Sequence, residues 1–441
     1  MLSSQLHATT DVLPVAGLDR LAEHLPLAWI EQALSATGTA SIRRRRLPAE
    51  QVVWLVIALA LYRHQSMPEV LATLDLALPS ATTPAISKSA VTQARQRLGS
   101  EPLATLFSQT ASAWCAQDAE RHAWKGLSLW AMDGTTFRAP DSTENRAYFG
   151  AQSYASGKVA SYPQVRAVSI TAIPTHLVAD MAFGQYGQNE MLYAKPLVER
   201  IIDHSLTVFD RGFLCAEILL GLSLGGEERH YLIPAKSNTK WERLSGTEQD
   251  GLVRMRVSPQ ARAKAPSLPE YWTARAVRMV SANGKERTLL TSLLDRRRFK
   301  AEDLAECYRR RWEIETSYRE LKQSLLGPAL TLRSQQPTGI TQEIWGALIA
   351  YNLVRLEMAK AAIEAKVEPT DLSFLRALHI LQNEMIWAAG MAPGRLPDHL
   401  ARLRNQLQFA IVEKRRGRQC PRVVKALPKR YAVKYLKKDL N

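Results

Sequence analysis

The sequence predicts an α/β protein: a core of alternating strands and helices, interrupted by a β-rich insertion and flanked by a helical N-terminal region and a helical, basic C-terminal region. Three observations predict it. Apolar runs at residues 127–132, 165–172, 177–183, 206–209 and 231–233 are interleaved with helical stretches at 190–202 and 214–222, the order of a mixed sheet. Residues 252–257, 272–280 and 288–294 alternate with the period of antiparallel strands and are separated by Ser-Asn-Gly and Pro-rich turns. Outside these stretches the apolar residues recur with helical spacing.

The elements follow in order. Residues 52–62 form an apolar run about half as long as a bilayer needs, so it reads as a buried helix. Ser66 with Glu69 makes a capping box ahead of Val70, Leu71 and Leu74, and Pro79 ends that element. After a Thr-Pro spacer, residues 87–98 read as a helix that carries Arg95 and Arg97 and stops at Gly99. Residues 127–132 form a strand closed by Asp133-Gly134-Thr135-Thr136, and residues 206–209 a strand closed by Asp210-Arg211-Gly212. Residues 301–326 contain no Gly or Pro before Gly327-Pro328 and read as one long helix. Helices at 338–365 and 372–389 precede a basic tail. The resulting division is 1–120, a helical N-terminal domain; 121–235, the first part of the core; 236–295, the β insertion; 296–330, the core helix; and 331–441, the C-terminal region.

Composition narrows the function. At 441 residues, with 46% apolar and 23% charged residues, the chain can bury the cores of about two to four units. Its 58 Lys and Arg against 42 Asp and Glu leave +16, an excess that favours a polyanionic partner. The charge is clustered: residues 414–438 hold eleven cations and no acid, interleaved with Tyr431 and Tyr435, and residues 43–46 are four arginines. Nucleic acid fits such blocks better than a membrane does. Cys115, Cys215, Cys307 and Cys420 are scattered without metal-ligand or redox spacing. The N-terminus has no secretory pattern, so a reducing cytoplasm is expected.

The long helix carries the most informative pattern. At about 100° per residue, Tyr308, Arg311, Glu315 and Lys322 fall within a sector of about 60°, beside an apolar face of Cys307, Ile314, Leu321 and Leu325. A carboxylate in a row with a phenol and two cations suits a phosphodiester. Asp133 and Asp210 stand at strand ends, where α/β sheets bind ligands. Taken singly, each is an ordinary turn residue, and Glu315 could simply pair with Arg311 one helical turn away. Together the three carboxylates form a hard oxygen set for Mg²⁺ or Mn²⁺.

The Tyr308, Arg311, Glu315, Lys322 spacing, with Arg-Trp-x-Ile-Glu at its centre, resembles the Y-R-E-K signature of the IS4 family of bacterial insertion-sequence transposases. Asp133-Gly134-Thr135 and Asp210-Arg211-Gly212-Phe213 are similar to the family's first and second catalytic Asp segments. The N-terminal part through Arg95-Gln96-Arg97-Leu98 and the Cys420-Pro421-Arg422 segment resemble its N-terminal domain and basic tail. The resemblance implies a ribonuclease-H-like core, with Asp133, Asp210 and Glu315 as catalytic metal ligands. It implies Mg²⁺, for which Mn²⁺ substitutes, and cleavage of transposon ends followed by transfer of the 3′ ends into target DNA. Tyr308, Arg311 and Lys322, together with Arg95, Arg97, Lys437 and Lys438, are then expected DNA contacts. Double-stranded DNA, as terminal inverted repeats and target, and a homodimer at synapsis are the expected partners; no membrane is expected. The expected location is the cytoplasm, at the nucleoid when the protein acts. A catalytically silent DNA-binding derivative and a nuclease without strand transfer are the alternatives. Some members hold a flipped base on a Trp where this chain has Arg287 and Thr288, with Trp241 and Trp272 elsewhere in the insertion.

Overall fold

The computed structural model describes residues 24–40, 47–73, 86–154, 158–280, 284, 286–327, 331–388, 403–412 and 433–434. The arginine block 43–46, Leu74, Pro79, Cys420, Lys437, Lys438 and the rest of the basic tail apart from 433–434 lie outside them. The N-terminal helices are α1 (Leu27–Ala36), α2 (Ala49–Leu61), α3 (Met67–Thr73), α4 (Lys88–Leu98) and α5 (Glu101–Arg121). Then come β1 (Ser128–Arg138), α6 (Thr143–Phe149), β2 (Val159–Ala160), β3 (Gln164–Ala172), β4 (Val178–Gln185), α7 (Glu190–Val198) and β5 (Ser205–Phe209). They are followed by α8 (Ala216–Leu224), β6 (Arg229–Pro234), β7 (Glu242–Gly246), β8 (Asp250–Arg256), α9 (Pro259–Lys264), β9 (Tyr271–Val280) and β10 (Glu286–Thr291). The last are α10 (Ala301–Arg309), α11 (Trp312–Arg319), a π-helical segment Glu320–Leu325, α12 (Pro337–Ala365), α13 (Phe374–Ala388) and β11 (Val433–Lys434).

These elements divide into two compact units, one of Met1–Ser112, Phe137–Gln164 and Arg319–Asn441, the other of Ala113–Thr136 and Val165–Tyr318. In the first, α2 is buried from Gln51 to Leu61, as its apolar run requires, and it packs on the 29-residue α12. Gly346 permits that approach: a Cβ there would stand 2.6 Å from Val56 Cγ1 and 3.1 Å from the Val56 carbonyl. The expected local signals are in place. Ser66 and Glu69 exchange backbone and side-chain hydrogen bonds, Ser87 caps α4, and Gly99 closes it at φ 69°.

The second unit is built on a nine-stranded mixed sheet of order β4-β3-β1-β5-β6-β10-β9-β8-β7. β1, β5 and β6 run parallel, and β5 is buried throughout, as a central parallel strand must be. The strands of the expected insertion do not form a sheet of their own. β10 pairs antiparallel with β6 and carries β9, β8 and β7 onto the same sheet, which ends in the exposed, charged β7.

Two local expectations need correction. β1 does not stop at Asp133 but runs on to Arg138; what ends there is its pairing with β5, at Met132 opposite Phe209, while β3 continues to flank it. The helix expected over 301–326 is broken. Around Arg310 and Arg311 the backbone tightens to three-residue hydrogen bonds, Arg311 to Tyr308 at 3.0 Å and Ile314 to Arg311 at 3.2 Å. Beyond Arg319 it loosens into a π turn closed by Leu326 to Leu321 at 3.1 Å. Neither change needs Gly or Pro, so neither leaves a composition signal. The apolar face survives, since Cys307, Ile314, Leu321 and Leu325 are all buried. Among the described residues no helix is long and apolar enough to cross a membrane. Cys115, Cys215 and Cys307 are free thiols, and burial pushes their pKa values up.

Candidate active site

The paired ends of β1 and β5 set the site. Because Met132 lies opposite Phe209, the next residues, Asp133 and Asp210, emerge together from strands spaced about 4.8 Å apart. Asp210 caps the short turn Arg211–Phe213, its Oδ2 accepting from the Gly212 N–H at 3.4 Å. Asp133 Oδ1 accepts from the Gly134 N–H at 2.7 Å, and its carbonyl accepts from the Tyr318 hydroxyl at 2.6 Å. That hydroxyl also lies 2.8 Å from Ser169 Oγ on β3, so Tyr318 ties α11 to the strands that carry the aspartate.

α11 presents Glu315 in its first turn. Arg311, at the break before it, donates to Glu315 Oε1 at 2.6 Å and reaches Asp133 Oδ2 at 3.4 Å. One guanidinium thus bridges two carboxylates 182 positions apart. Burial pushes the Asp133 carboxyl up to about 6; the Gly134 N–H and Arg311 oppose the shift, and the charges of Asp210 and Glu315 add to it. The three acids therefore share one electrostatic environment. Burial works against the charge of Arg311, but its bond to Glu315 and the nearby Tyr308 and Asp133 outweigh this and hold its pKa above the usual arginine value. Tyr308 is only 6% exposed and belongs to the core of this unit. Burial raises its hydroxyl pKa, with Arg311 and Asp210 as its nearest charged influences.

Among the described residues no three His, Cys, Asp or Glu side chains stand close enough to hold a metal ion. The Arg311 guanidinium stands between Asp133 and Glu315. The donor chemistry nonetheless suits a hard divalent cation: carboxylate oxygens only, one of them with its pKa raised chiefly by burial and further by the charges of the other two. The arginine marks where positive charge is wanted.

The remaining expected residues are placed elsewhere. Lys322 is half-buried in the π segment and belongs to the first unit. Arg95 and Arg97 are on α4 of that unit, Arg97 exposed and Arg95 turned inward onto Gln342 and Ser334. Lys437 and Lys438 lie outside the described residues. Trp272 is 8% exposed and packs near Tyr231, a core role.

Two residues at the site have no sequence signal strong enough to find them. Glu190, first in α7 after the capping Asn189, rests its carboxyl against Gly134, where a Cβ would stand 2.6 Å from Glu190 Cδ. Arg166 holds it at 3.3 Å. Only Gly at 134 leaves room for this fourth acid beside Asp133. Trp312, 64% exposed, lies beside Arg311, whose guanidinium is 5.7 Å from the ring, and such a ring is a stacking surface.

Comparison with known proteins gives the family. Residues 15–108 match the family "Insertion element 4 transposase N-terminal", and residues 124–353 match "Transposase DDE domain". The chain is 39% identical over 416 residues to the Escherichia coli (strain K12) transposase InsG for insertion sequence element IS4, covering 94% of this chain and 93% of that one. It is 34% identical to the putative transposase InsZ of the same organism, over 56% of this chain and 82% of that one. Among solved structures, the piggyBac transposase synaptic complex with hairpin DNA is similar at a TM-score of 0.39 and 12% identity, over 92% of this chain and 85% of that one. A likeness that slight adds nothing to the family assignment.

Proposed function

The chain belongs to the IS4 family of insertion-sequence transposases with a DDE domain, and we propose that Asp133, Asp210 and Glu315 are its catalytic triad. The enzyme cleaves DNA and transfers the cut strands, as transposases of this kind do. One observation carries the residue assignment: Arg311 draws Asp133 and Glu315 to one point, with Asp210 near enough to raise the Asp133 carboxyl. When bound, a pair of divalent cations, Mg²⁺ with Mn²⁺ as substitute, activates the attacking oxygen and stabilises the leaving one.

The chain's own groups do the positioning. Asp133 is fixed by the Gly134 N–H and by Tyr318 acting on its carbonyl, Asp210 by its capping bond, and Glu315 by Arg311. With a cation held by Asp133, Asp210 and Glu315, the Arg311 guanidinium would be available to neutralise the phosphodiester next to the scissile bond, with Lys322 as a further cation and the Tyr308 hydroxyl as donor. Hydrolysis and strand transfer use one site, because only the nucleophile changes.

The strand order of the second unit favours a ribonuclease-H-like core over 121–235 and 296–330, extended by the strands of 236–295. Residues 1–120, with the exposed Arg97 but not the inward-turned Arg95, and the 331–441 region, with Lys437 and Lys438, supply the affinity for double-stranded DNA at the terminal inverted repeats. Synapsis of two ends requires a homodimer, acting in the cytoplasm at the nucleoid.

The test is incubation with a linear fragment bearing the element's own flanking ends, in Mg²⁺ and in EDTA, alongside Glu315→Gln. Cuts at the element boundary that need the metal and vanish in the variant are expected. Binding without any cut in Mg²⁺ or Mn²⁺ would replace this reading with a silent DNA-binding derivative, and cuts without joined products would replace it with a nuclease.

A further inference from the structure

The first unit contains a cavity of about 470 Å³ between α2, α4 and the start of α12, within the range of about 300–1,000 Å³ that small-molecule sites occupy. Its charge is lopsided. Arg63, Arg95 and Arg333 line it around a single acid, Glu343, with Lys88 at the exposed edge. Arg63 and Arg95 are held at 14% and 12% side-chain exposure, 3.5 Å and 3.8 Å from the two Glu343 oxygens. Burial lowers the pKa of all three arginines, and they repel one another, with Glu343 alone opposing.

A purely structural brace explains part of this. Arg63 donates to the Thr331 carbonyl, Arg333 to the Gln65 carbonyl and Arg95 to Gln342, so the guanidinium groups do tie the segments together. A brace built for stability alone would match cations to acids, because a buried charge without a counter-ion is destabilising. Here the cations outnumber the acid three to one before Lys88 is counted. The first turn of α12 opens on the same cavity through Thr338 and Gly339, with no side chain capping it, which adds to the positive field. The lining also has an apolar part, formed by Val56, Leu59, Ala60 and Leu326. A bare anion has no use for such a wall, and a duplex is too broad to enter.

We propose that this cavity binds a single nucleotide, its phosphate on the cluster of Arg63, Arg95 and Arg333 and its base against the apolar wall of α2. The phosphate supplies the missing negative charge by charge-assisted hydrogen bonds. Gln96 and Gln335, both exposed, stand on the lining as amides able to meet a base edge, whereas Gln342 is taken up by Arg95 and the Gly99 carbonyl. Two sources share this chemistry: the last nucleotide of a DNA strand that has left its duplex, and a free nucleotide. The site lies wholly in the first unit and needs none of the catalytic carboxylates.

The experiment is calorimetric titration of the full-length protein in EDTA, where no cleavage occurs, with dAMP, with deoxyadenosine, and with a short 5′-phosphorylated single strand competing against dAMP. dAMP binding is expected, with deoxyadenosine about tenfold weaker or worse. Thr92→Trp, an exposed α4 position on the lining, fills the cavity and abolishes binding while the melting temperature stays unchanged. Lys88→Ala, also exposed, weakens dAMP a few-fold without touching the buried network. Displacement of dAMP by the phosphorylated strand identifies a DNA end as the source; failure to displace identifies the free nucleotide. No dAMP binding by the unaltered protein, equal binding of deoxyadenosine, or binding that survives both variants overturns the proposal. A failed cleavage assay has no bearing on it, because these titrations contain no metal.

Discussion

Two arginine–carboxylate clusters, one in each unit, are charge inversions of one another. Around Arg311 a single guanidinium faces Asp133 and Glu315, with Asp210 adding its charge. Around Glu343 a single carboxylate faces Arg63 and Arg95, and its Oε2 accepts from the Arg333 backbone N–H. Neither cluster is neutral, so neither is explained by stability alone. The first is short of positive charge and the second of negative charge. The sign of the shortfall indicates the partner: a divalent cation for the acids, a phosphate for the arginines. The most direct way to break the comparison is to neutralise the two glutamates separately. Glu315→Gln should remove cleavage while leaving melting and end binding nearly intact, because it relieves repulsion as it loses one bond from Arg311. Glu343→Gln should cost about 3–5 kcal/mol of stability, since it leaves buried guanidinium groups without a counter-ion, and dAMP should restore part of it. Equal losses of stability in chemical denaturation of both variants would show that the clusters are the same kind of structural pair.

Arg311 sharpens the contrast next. If it stands where cations belong, Arg311→Met should lower the melting temperature in EDTA, because Asp133 and Glu315 lose their common counter-ion. It should also strengthen Mn²⁺ binding several-fold in calorimetry without DNA, since the ion no longer displaces a guanidinium. Cleavage should fall all the same, because the phosphodiester loses its cation. Weaker Mn²⁺ binding in the variant would show that Arg311 organises the acids instead of competing for their centre.

Much of this was readable in the sequence. Asp210 follows the end of β5, Asp133 follows the end of the β1–β5 pairing though not of β1 itself, and Ser87 and Gly99 bound α4 as expected. What could not be read shares one cause: it depends on contacts between segments far apart in the chain. The break at Arg310 and Arg311 contains no Gly or Pro, and the helical period continues across it. The β8 to β10 strands alternate as any antiparallel strands do, but nothing in their pattern says that β10 would pair with β6. Glu190 looks like a first-turn acid on any helix until Gly134 is found beneath it. Arg95 and Arg97, two residues apart, look alike in the sequence, yet a helix sends them to different faces, one to a cavity and one to solvent.

Tyr318 tests the scaffold beneath the acidic cluster without altering its charge. Its hydroxyl is the only part that Tyr318→Phe removes, and with it go the 2.6 Å bond to the Asp133 carbonyl and the 2.8 Å contact with Ser169. The expected loss is about 1–2 kcal/mol in chemical denaturation, more than an exposed hydroxyl would give, because the orphaned carbonyl is partly buried. Cleavage should drop further than this loss of stability accounts for, since β1 no longer fixes Asp133 against α11. Unchanged cleavage at the lowered stability would place Tyr318 among ordinary core residues.

The smallest expected effect separates the two arginines of α4. Arg97 is exposed in the last turn of the helix, so a DNA contact by it is electrostatic and screened by salt. Arg97→Ala should leave melting unchanged and reduce the slope of log affinity against log salt by about 0.9, the share of one neutralised phosphate on a duplex. Arg95 is engaged with Gln342, Ser334 and Glu343, so Arg95→Ala should lower the melting temperature and leave the duplex slope as it was. An altered duplex slope in Arg95→Ala at unchanged stability would mean that the cavity takes a duplex phosphate instead of a single nucleotide, and the comparison would lose its second partner.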